Sequence, residues 1–235
     1  MFINYAHRGA SAYEPENTIE SFRLGLEMGA NGIETDIHRT KDGVLVLFHD
    51  DTLMRVTGAP GRVQDYTYDE LSVLNVNVQG KSGRIPRLRD FLTEFADRDI
   101  TFAIEFKQEF TERETIDMLR EFNLARKTVL TSFNLNCLMR ARLYGPEFRL
   151  GYLTKDVNEL TLPVMRTIGI TEVCPNANIV TPELVRHLHA EGFNVRAYGI
   201  KDEMLMKSVF DAGVDGMTVN FPDKLHEYML LGNMH

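Results

Sequence analysis

Short apolar runs alternate with helical patterns along nearly the whole chain, and that alternation predicts βα units wrapped around a parallel sheet. Residues 2–6, 33–37, 102–106, 128–130, 148–152, 172–174, 194–198 and 216–219 read as eight strands. Between and after them, residues 18–28, 88–96, 112–122, 135–143, 157–168, 182–190, 203–212 and 224–230 carry helical spacing. Thr181 before Pro182 has the form of an N-cap followed by proline in the first turn. Gly29, Gly169, Gly192 and Gly213 stand where helices should stop, each a few residues before the next strand. Eight strands, each followed by a helix, favour an α/β fold of the (β/α)8 TIM-barrel type over an open doubly wound sheet.

The rhythm breaks once. Residues 44–48 read as an extra strand, and the Gly/Pro/Asp/Tyr-rich stretch that follows is too long for an ordinary βα loop. The expectation is one barrel domain over residues 1–235, with a small insertion after the second barrel strand at about residues 50–87. The insertion is expected on the open face of the barrel, as a lid or a wall for a substrate.

Composition narrows the partners. The 235 residues are 43% hydrophobic, with 26 Lys+Arg against 34 Asp+Glu and a net charge of −8, which fits a soluble globular chain and not a disordered one. The basic surplus that binding a nucleic-acid backbone requires is missing. No apolar run reaches the length of a membrane span, so no stable membrane insertion is expected. The apolar opening is cut off by His7 and Arg8 before a signal-peptide core could form, which reads as cytoplasmic. Cys137 and Cys174 lack zinc or disulfide spacing and are expected as buried free thiols. A homo-oligomer is left open.

The candidate chemistry lies at the strand ends, where a barrel gathers its functional groups. The first strand ends in His7-Arg8-Gly9, the second carries Glu34 and Asp36, the extra strand leads into His49-Asp50, and the third reads Glu105-Phe106-Lys107. Glu34 and Asp36 are two apart on a strand and share a face. With Glu105 from the neighbouring strand they suit a hard divalent cation, Mg2+ or Ca2+. A salt-bridged polar layer with Arg8 and Lys107 is the alternative. His7 and His49 can exchange protons near neutral pH, and a pair of them could serve as base and acid on a phosphorus centre. Arg8 can meet phosphate oxygens in bidentate fashion, and Lys107 can hold either a phosphate oxygen or Glu105.

These residues resemble the glycerophosphodiester phosphodiesterase family. The resemblance rests on His7-Arg8-Gly9-Ala10, Pro15-Glu16-Asn17-Thr18, Glu34-Thr35-Asp36, His49-Asp50-Asp51-Thr52-Leu53 with Arg55, Glu105-Phe106-Lys107, Ser132-Phe133 and Gly213-Val214-Asp215-Gly216, and so spans most of the chain. It implies a (β/α)8 barrel, His7 and His49 as the acid/base pair, and Glu34, Asp36 and Glu105 as ligands of one divalent cation. It also implies Arg8 and Lys107 as phosphate contacts, and an insertion framing the glycerol-phosphate site. Two departures concern the alcohol pocket. Many members carry Trp near the end of the seventh strand, where this chain offers Tyr198, and Asn220 stands where Asp is frequent. Phe133 and Tyr198 read either as an apolar pocket wall or as ordinary packing at the barrel mouth. Asn17 is expected to cap the following helix, with Glu20 completing a capping box.

The function this implies is metal-dependent hydrolysis of a small-molecule glycerophosphodiester to glycerol 3-phosphate and an alcohol. The nucleophile is either water or the neighbouring glycerol hydroxyl, the latter passing through a cyclic phosphate. A phospholipase-D-like lyase that releases the cyclic phosphate, and a non-catalytic phosphodiester-binding or interaction barrel, are the alternatives.

Overall fold

The apolar runs pair edge to edge and close on themselves. A computed structural model describes residues 2–232 apart from residue 159. The chain begins with β1 (Ile3–His7), α1 (Ile19–Glu27), β2 (Gly32–Arg39) and β3 (Leu45–Leu47). The insertion follows, with α2 (Met54–Thr57), α3 (Tyr68–Ser72), β4 (Asn75–Val78) and β5 (Lys81–Arg84). Then come α4 (Leu88–Phe95), β6 (Thr101–Phe106), α5 (Glu112–Glu121), β7 (Thr128–Ser132), α6 (Leu135–Tyr144), β8 (Arg149–Thr154) and α7 (Thr161–Ile168). The chain ends with β9 (Glu172–Pro175), α8 (Pro182–Ala190), β10 (Asn194–Ile200), α9 (Glu203–Asp211), β11 (Gly216–Val219) and α10 (Pro222–Gly232).

Eight strands, in the order β1-β2-β6-β7-β8-β9-β10-β11 and back to β1, form a closed parallel barrel. Helices surround it, so this is the (β/α)8 fold that the alternation predicts. The main core lies between barrel and helices. Phe22, Phe91, Phe95 and Phe102 meet there edge to face and at a tilt, with ring centroids 4.8 to 6.0 Å apart.

β3 pairs antiparallel with β2 and separates two cores. Successive residues of a strand face opposite ways, so Leu45 and Leu47 join the main core. Val46 and Phe48 instead join a second cluster with Leu53, Val56, Val63, Leu71, Val76 and Ile85 of the insertion. The β4–β5 hairpin turns through Gln79 and Gly80, both at positive φ, as a tight two-residue hairpin demands.

The four predicted helix-stop glycines all sit at positive φ. Thr181 caps α8 with Pro182 in its first turn, and both cysteines are buried free thiols. Two local expectations change. α7 starts at Thr161 instead of residue 157, because Pro163 has no N–H to donate and is accommodated only in a first turn. α1 is capped by Thr18, whose side chain accepts from the Ser21 N–H, so Asn17 is released from capping. Among the described residues, no helix is long and apolar enough to cross a membrane.

Candidate active site

Strand register assembles the carboxylates. Parallel pairing of β1 with β2 sets His7 beside Glu34, and pairing of β2 with β6 sets Asp36 beside Glu105. Glu34, Asp36 and Glu105 are all buried, and one oxygen from each lies within 4.8 Å of the others. Their charges respond to this crowding. Burial, then Asp36 and Glu105, push Glu34 well above the usual carboxylate range. Burial and Asp36 push Glu105 up to about 7, against the pull of Lys107. Asp36 feels the same burial, yet Arg8, Lys107, His49 and a hydrogen bond from Asn17 hold it below its ordinary value.

A divalent cation fits this cluster on evidence from Asp36 itself. Its Oδ2 accepts from Asn17 Nδ2 at 2.9 Å and lies 3.2 Å from Arg8 Nε, while its Oδ1 is buried with no hydrogen-bond partner, the Lys107 ammonium standing 4.0 Å away, beyond hydrogen-bond reach. A buried carboxylate oxygen without a donor is costly unless a cation meets it. With one oxygen each from Glu34 and Glu105 it makes a hard-ligand set.

The two histidines reach the same pocket on different supports. His7 ends β1, with Nδ1 2.5 Å from Asn220 Oδ1 and Nε2 3.9 Å from Glu34 Oε2. With the Asn220 amide oxygen as acceptor, Nδ1 carries the proton and Nε2 keeps its lone pair. Burial and the nearby Arg8 hold His7 well below the usual histidine range, so the ring is neutral. His49 is delivered by the residues after β3, where the Phe48 N–H donates to the Asp36 carbonyl. Its Nδ1 lies 2.6 Å from Asp50 Oδ1, and its carbonyl meets His38 Nε2 at 3.3 Å.

Arg8 and Lys107 both stand at the cluster. Arg8 Nη1 donates to Glu16 Oε1 at 2.9 Å, and Lys107 Nζ donates to Glu105 Oε1 at 2.9 Å. Phe133 and Tyr198 cross at 88° with centroids 5.4 Å apart, and Lys107 Nζ sits 5.9 Å from the centre of the Phe133 ring. Together with His7, Arg8, Glu34, His49, Glu105, Lys107 and Leu153, these two aromatics line one cavity of about 250 Å3. Deeper in the barrel, the fully buried Arg196 donates to Glu172 and Thr218 at 2.8 Å each.

All nine residues singled out from the sequence therefore gather at one barrel mouth. Sequence reasoning missed the roles of Asp50, Arg55 and Asn220 as partners of groups in the pocket. Asp50 and Arg55 were visible as text beside His49, but the bridge from Arg55 to Glu16 is a tertiary contact.

Comparison with known proteins bears on the whole assembly. The model of the Glycerophosphoryl diester phosphodiesterase family matches residues 7–224. The chain belongs to this family. It is 32% identical to a glycerophosphodiester phosphodiesterase of Bacillus altitudinis over 232 residues, covering 94% of this chain and 95% of the relative. It is 31% identical to the enzyme of that description from Caldanaerobacter subterraneus subsp. tengcongensis over 229 residues, covering 94% of each. Among solved structures, an Oleispira antarctica phosphodiesterase in complex with the product sn-glycerol-3-phosphate superposes with a TM-score of 0.83 at 25% identity, covering 96% of this chain and 95% of that one. Metal-assisted hydrolysis of glycerophosphodiesters is the general chemistry of this phosphodiesterase family, and the buried acidic triad could hold a divalent metal ion.

Proposed function

We propose that the enzyme hydrolyses small glycerophosphodiesters to glycerol 3-phosphate and an alcohol, with His7 and His49 as the proton-transfer pair and Glu34, Asp36 and Glu105 holding one Mg2+ or Ca2+. The observation that carries this reading is the set of converging groups: three buried carboxylates with an unpartnered Asp36 oxygen, flanked by two histidines in one cavity. The product named for the Oleispira antarctica neighbour supports glycerol 3-phosphate as the product here.

The phosphodiester anion resists attack because its oxygens repel a nucleophile, and charge builds on them in the transition state. Glu34, Asp36 and Glu105 would hold a divalent cation there, and its charge would offset that build-up. Arg8 and Lys107, already tethered by Glu16 and Glu105, present their remaining N–H groups to the phosphate and fix its orientation. His7, neutral with Nε2 free, takes the proton of the attacking hydroxyl. His49, backed by the anionic Asp50, donates a proton to the departing alcohol oxygen. Phe133, Tyr198 and Leu153 wall the alcohol side of the cavity.

The same pair serves attack by water or by the glycerol hydroxyl next to the phosphate, which gains from proximity. The test is release of glycerol 3-phosphate from glycerophosphocholine and glycerophosphoethanolamine with Mg2+, Ca2+ or EDTA, followed by phosphorus NMR. Metal-dependent release supports the hydrolase. Accumulation of a cyclic phosphate as the end product replaces it with a lyase, and ligand retention without turnover replaces it with a binding barrel.

A further inference from the structure

Asn17 lies in the loop between β1 and α1, freed from the capping role by Thr18. It is buried, with φ of 57°, a left-handed conformation that asparagine tolerates better than most residues. Its backbone N–H donates to the Arg8 carbonyl at 2.9 Å, which pins the loop against the end of β1. Both ends of its side-chain amide are committed. Nδ2 donates to Asp36 Oδ2 at 2.9 Å, and Oδ1 accepts from Thr35 Oγ1 at 2.7 Å. The Asp36 carboxylate accepts only from the nitrogen and so fixes which end of the amide faces it, while the Thr35 hydroxyl, as donor, tethers the other end.

The consequence falls on the carboxylate. With Oδ2 occupied by Asn17 and by the nearby Arg8, rotation of the Asp36 carboxyl is arrested and Oδ1 is left as the one oxygen without a donor. We propose that Asn17 is a positioning residue for cation binding, locking Asp36 so that Oδ1 alone is presented to the metal, with Thr35 tethering the far end of the amide. This rests on the reading of Glu34, Asp36 and Glu105 as a cation site. Outer partners of metal ligands act in this way generally, by orienting the ligand before the ion arrives.

The test uses full-length protein stripped with EDTA and titrated with Mg2+ and with Ca2+ by calorimetry, alongside thermal melts with and without the ion. Asn17→Gly suits the left-handed backbone while deleting the amide. It should bind the ion roughly 10- to 100-fold more weakly than wild type, as loss of such a partner typically does. Its metal-induced rise in Tm should shrink accordingly, a readout that a purely structural role would leave unchanged. Thr35→Val should show a smaller loss in the same direction. Wild-type affinity and an undiminished rise in Tm in Asn17→Gly would overturn the proposal. If that variant does not fold, undiminished affinity in Thr35→Val would do so. Absence of binding by the wild-type protein would instead remove the cation site, and the proposal with it.

Discussion

Arg55 grips both carboxylate oxygens of Glu16, with Nη1 and Nη2 each donating at 2.7 Å. The same guanidinium donates to Asp50 through Nε at 2.7 Å and Nη2 at 3.0 Å. One side chain thus ties the insertion to the loop after β1, and links the partner of His49 to the partner of Arg8. Despite partial burial, Asp50 is driven down to about 2 by Arg55 and His49, so it stays anionic behind the imidazole.

Arg55→Lys keeps the charge but cannot bridge two carboxylates as a planar fork does. Steady-state kinetics should show kcat falling by roughly 10-fold, the scale of losses when an orienting partner is removed, with binding of the divalent ion unchanged. An unaltered kcat would mean that His49 holds its position without the bridge.

His7→Ala and His49→Ala should each lose at least ~100-fold in turnover while circular dichroism stays native, which is the usual size of general acid–base effects. The two losses should separate with a glycerophosphodiester whose leaving group is 4-nitrophenol. A leaving group that needs no proton restores His49→Ala substantially and leaves His7→Ala impaired. Equal behaviour of the two variants would refute the assignment of His7 as base and His49 as acid.

In EDTA the crowded carboxylates carry a stability signature. Glu105 holds its proton up to about 7 in the folded protein, against an ordinary value of 4.5. The folded state therefore binds the proton more tightly, and the stability this supplies is full below about pH 4.5 and lost as pH rises through 7. His7 works in the opposite direction, because its depressed value favours folding as pH rises. Comparison with Glu105→Gln isolates the carboxyl. Metal-free wild type should lose Tm relative to Glu105→Gln between pH 5 and pH 8 in melts run side by side; a constant difference would show that Glu105 titrates normally.

Tyr198 lines the site, and its hydroxyl oxygen is buried with no hydrogen-bond partner among the described residues. Tyr198→Phe should leave Tm unchanged, because no hydrogen bond within the protein is lost. It should lower kcat/KM on glycerophosphocholine by roughly 2- to 10-fold if the hydroxyl bonds the substrate, the value of one hydrogen bond. Full activity with an unchanged Tm would reduce Tyr198 to packing against Phe133.

The barrel was legible because its strands are buried on both faces and so stand out as apolar runs, while the inward polar exceptions, Glu34, Asp36 and Glu105, mark the site by interrupting them. The insertion was legible only as a break. Its hairpin strands, Asn75–Val78 and Lys81–Arg84, are short and mostly exposed, so they carry little of the alternation that betrays a half-buried strand. Asn17 shows the limit at single-residue scale. Asn17 and Thr18 are both good cap residues, and only the three-dimensional closeness of Asp36 decides that Thr18 caps while Asn17 turns inward. The Arg55–Glu16 bridge spans 39 positions and leaves no local pattern.

The two-faced strand β3 uncouples the packing of the insertion from that of the barrel. Leu45 and Leu47 belong to the barrel, while Val46 and Phe48 belong to the insertion, so substitutions among Leu53, Val63, Leu71 and Ile85 reshape one body without reaching the other. The carboxylates and His7 are anchored entirely in the barrel. The three ligands and His7 can therefore be inherited intact while the insertion drifts, whereas His49, which follows Phe48 and leans on Asp50 and Arg55, stays answerable to both bodies.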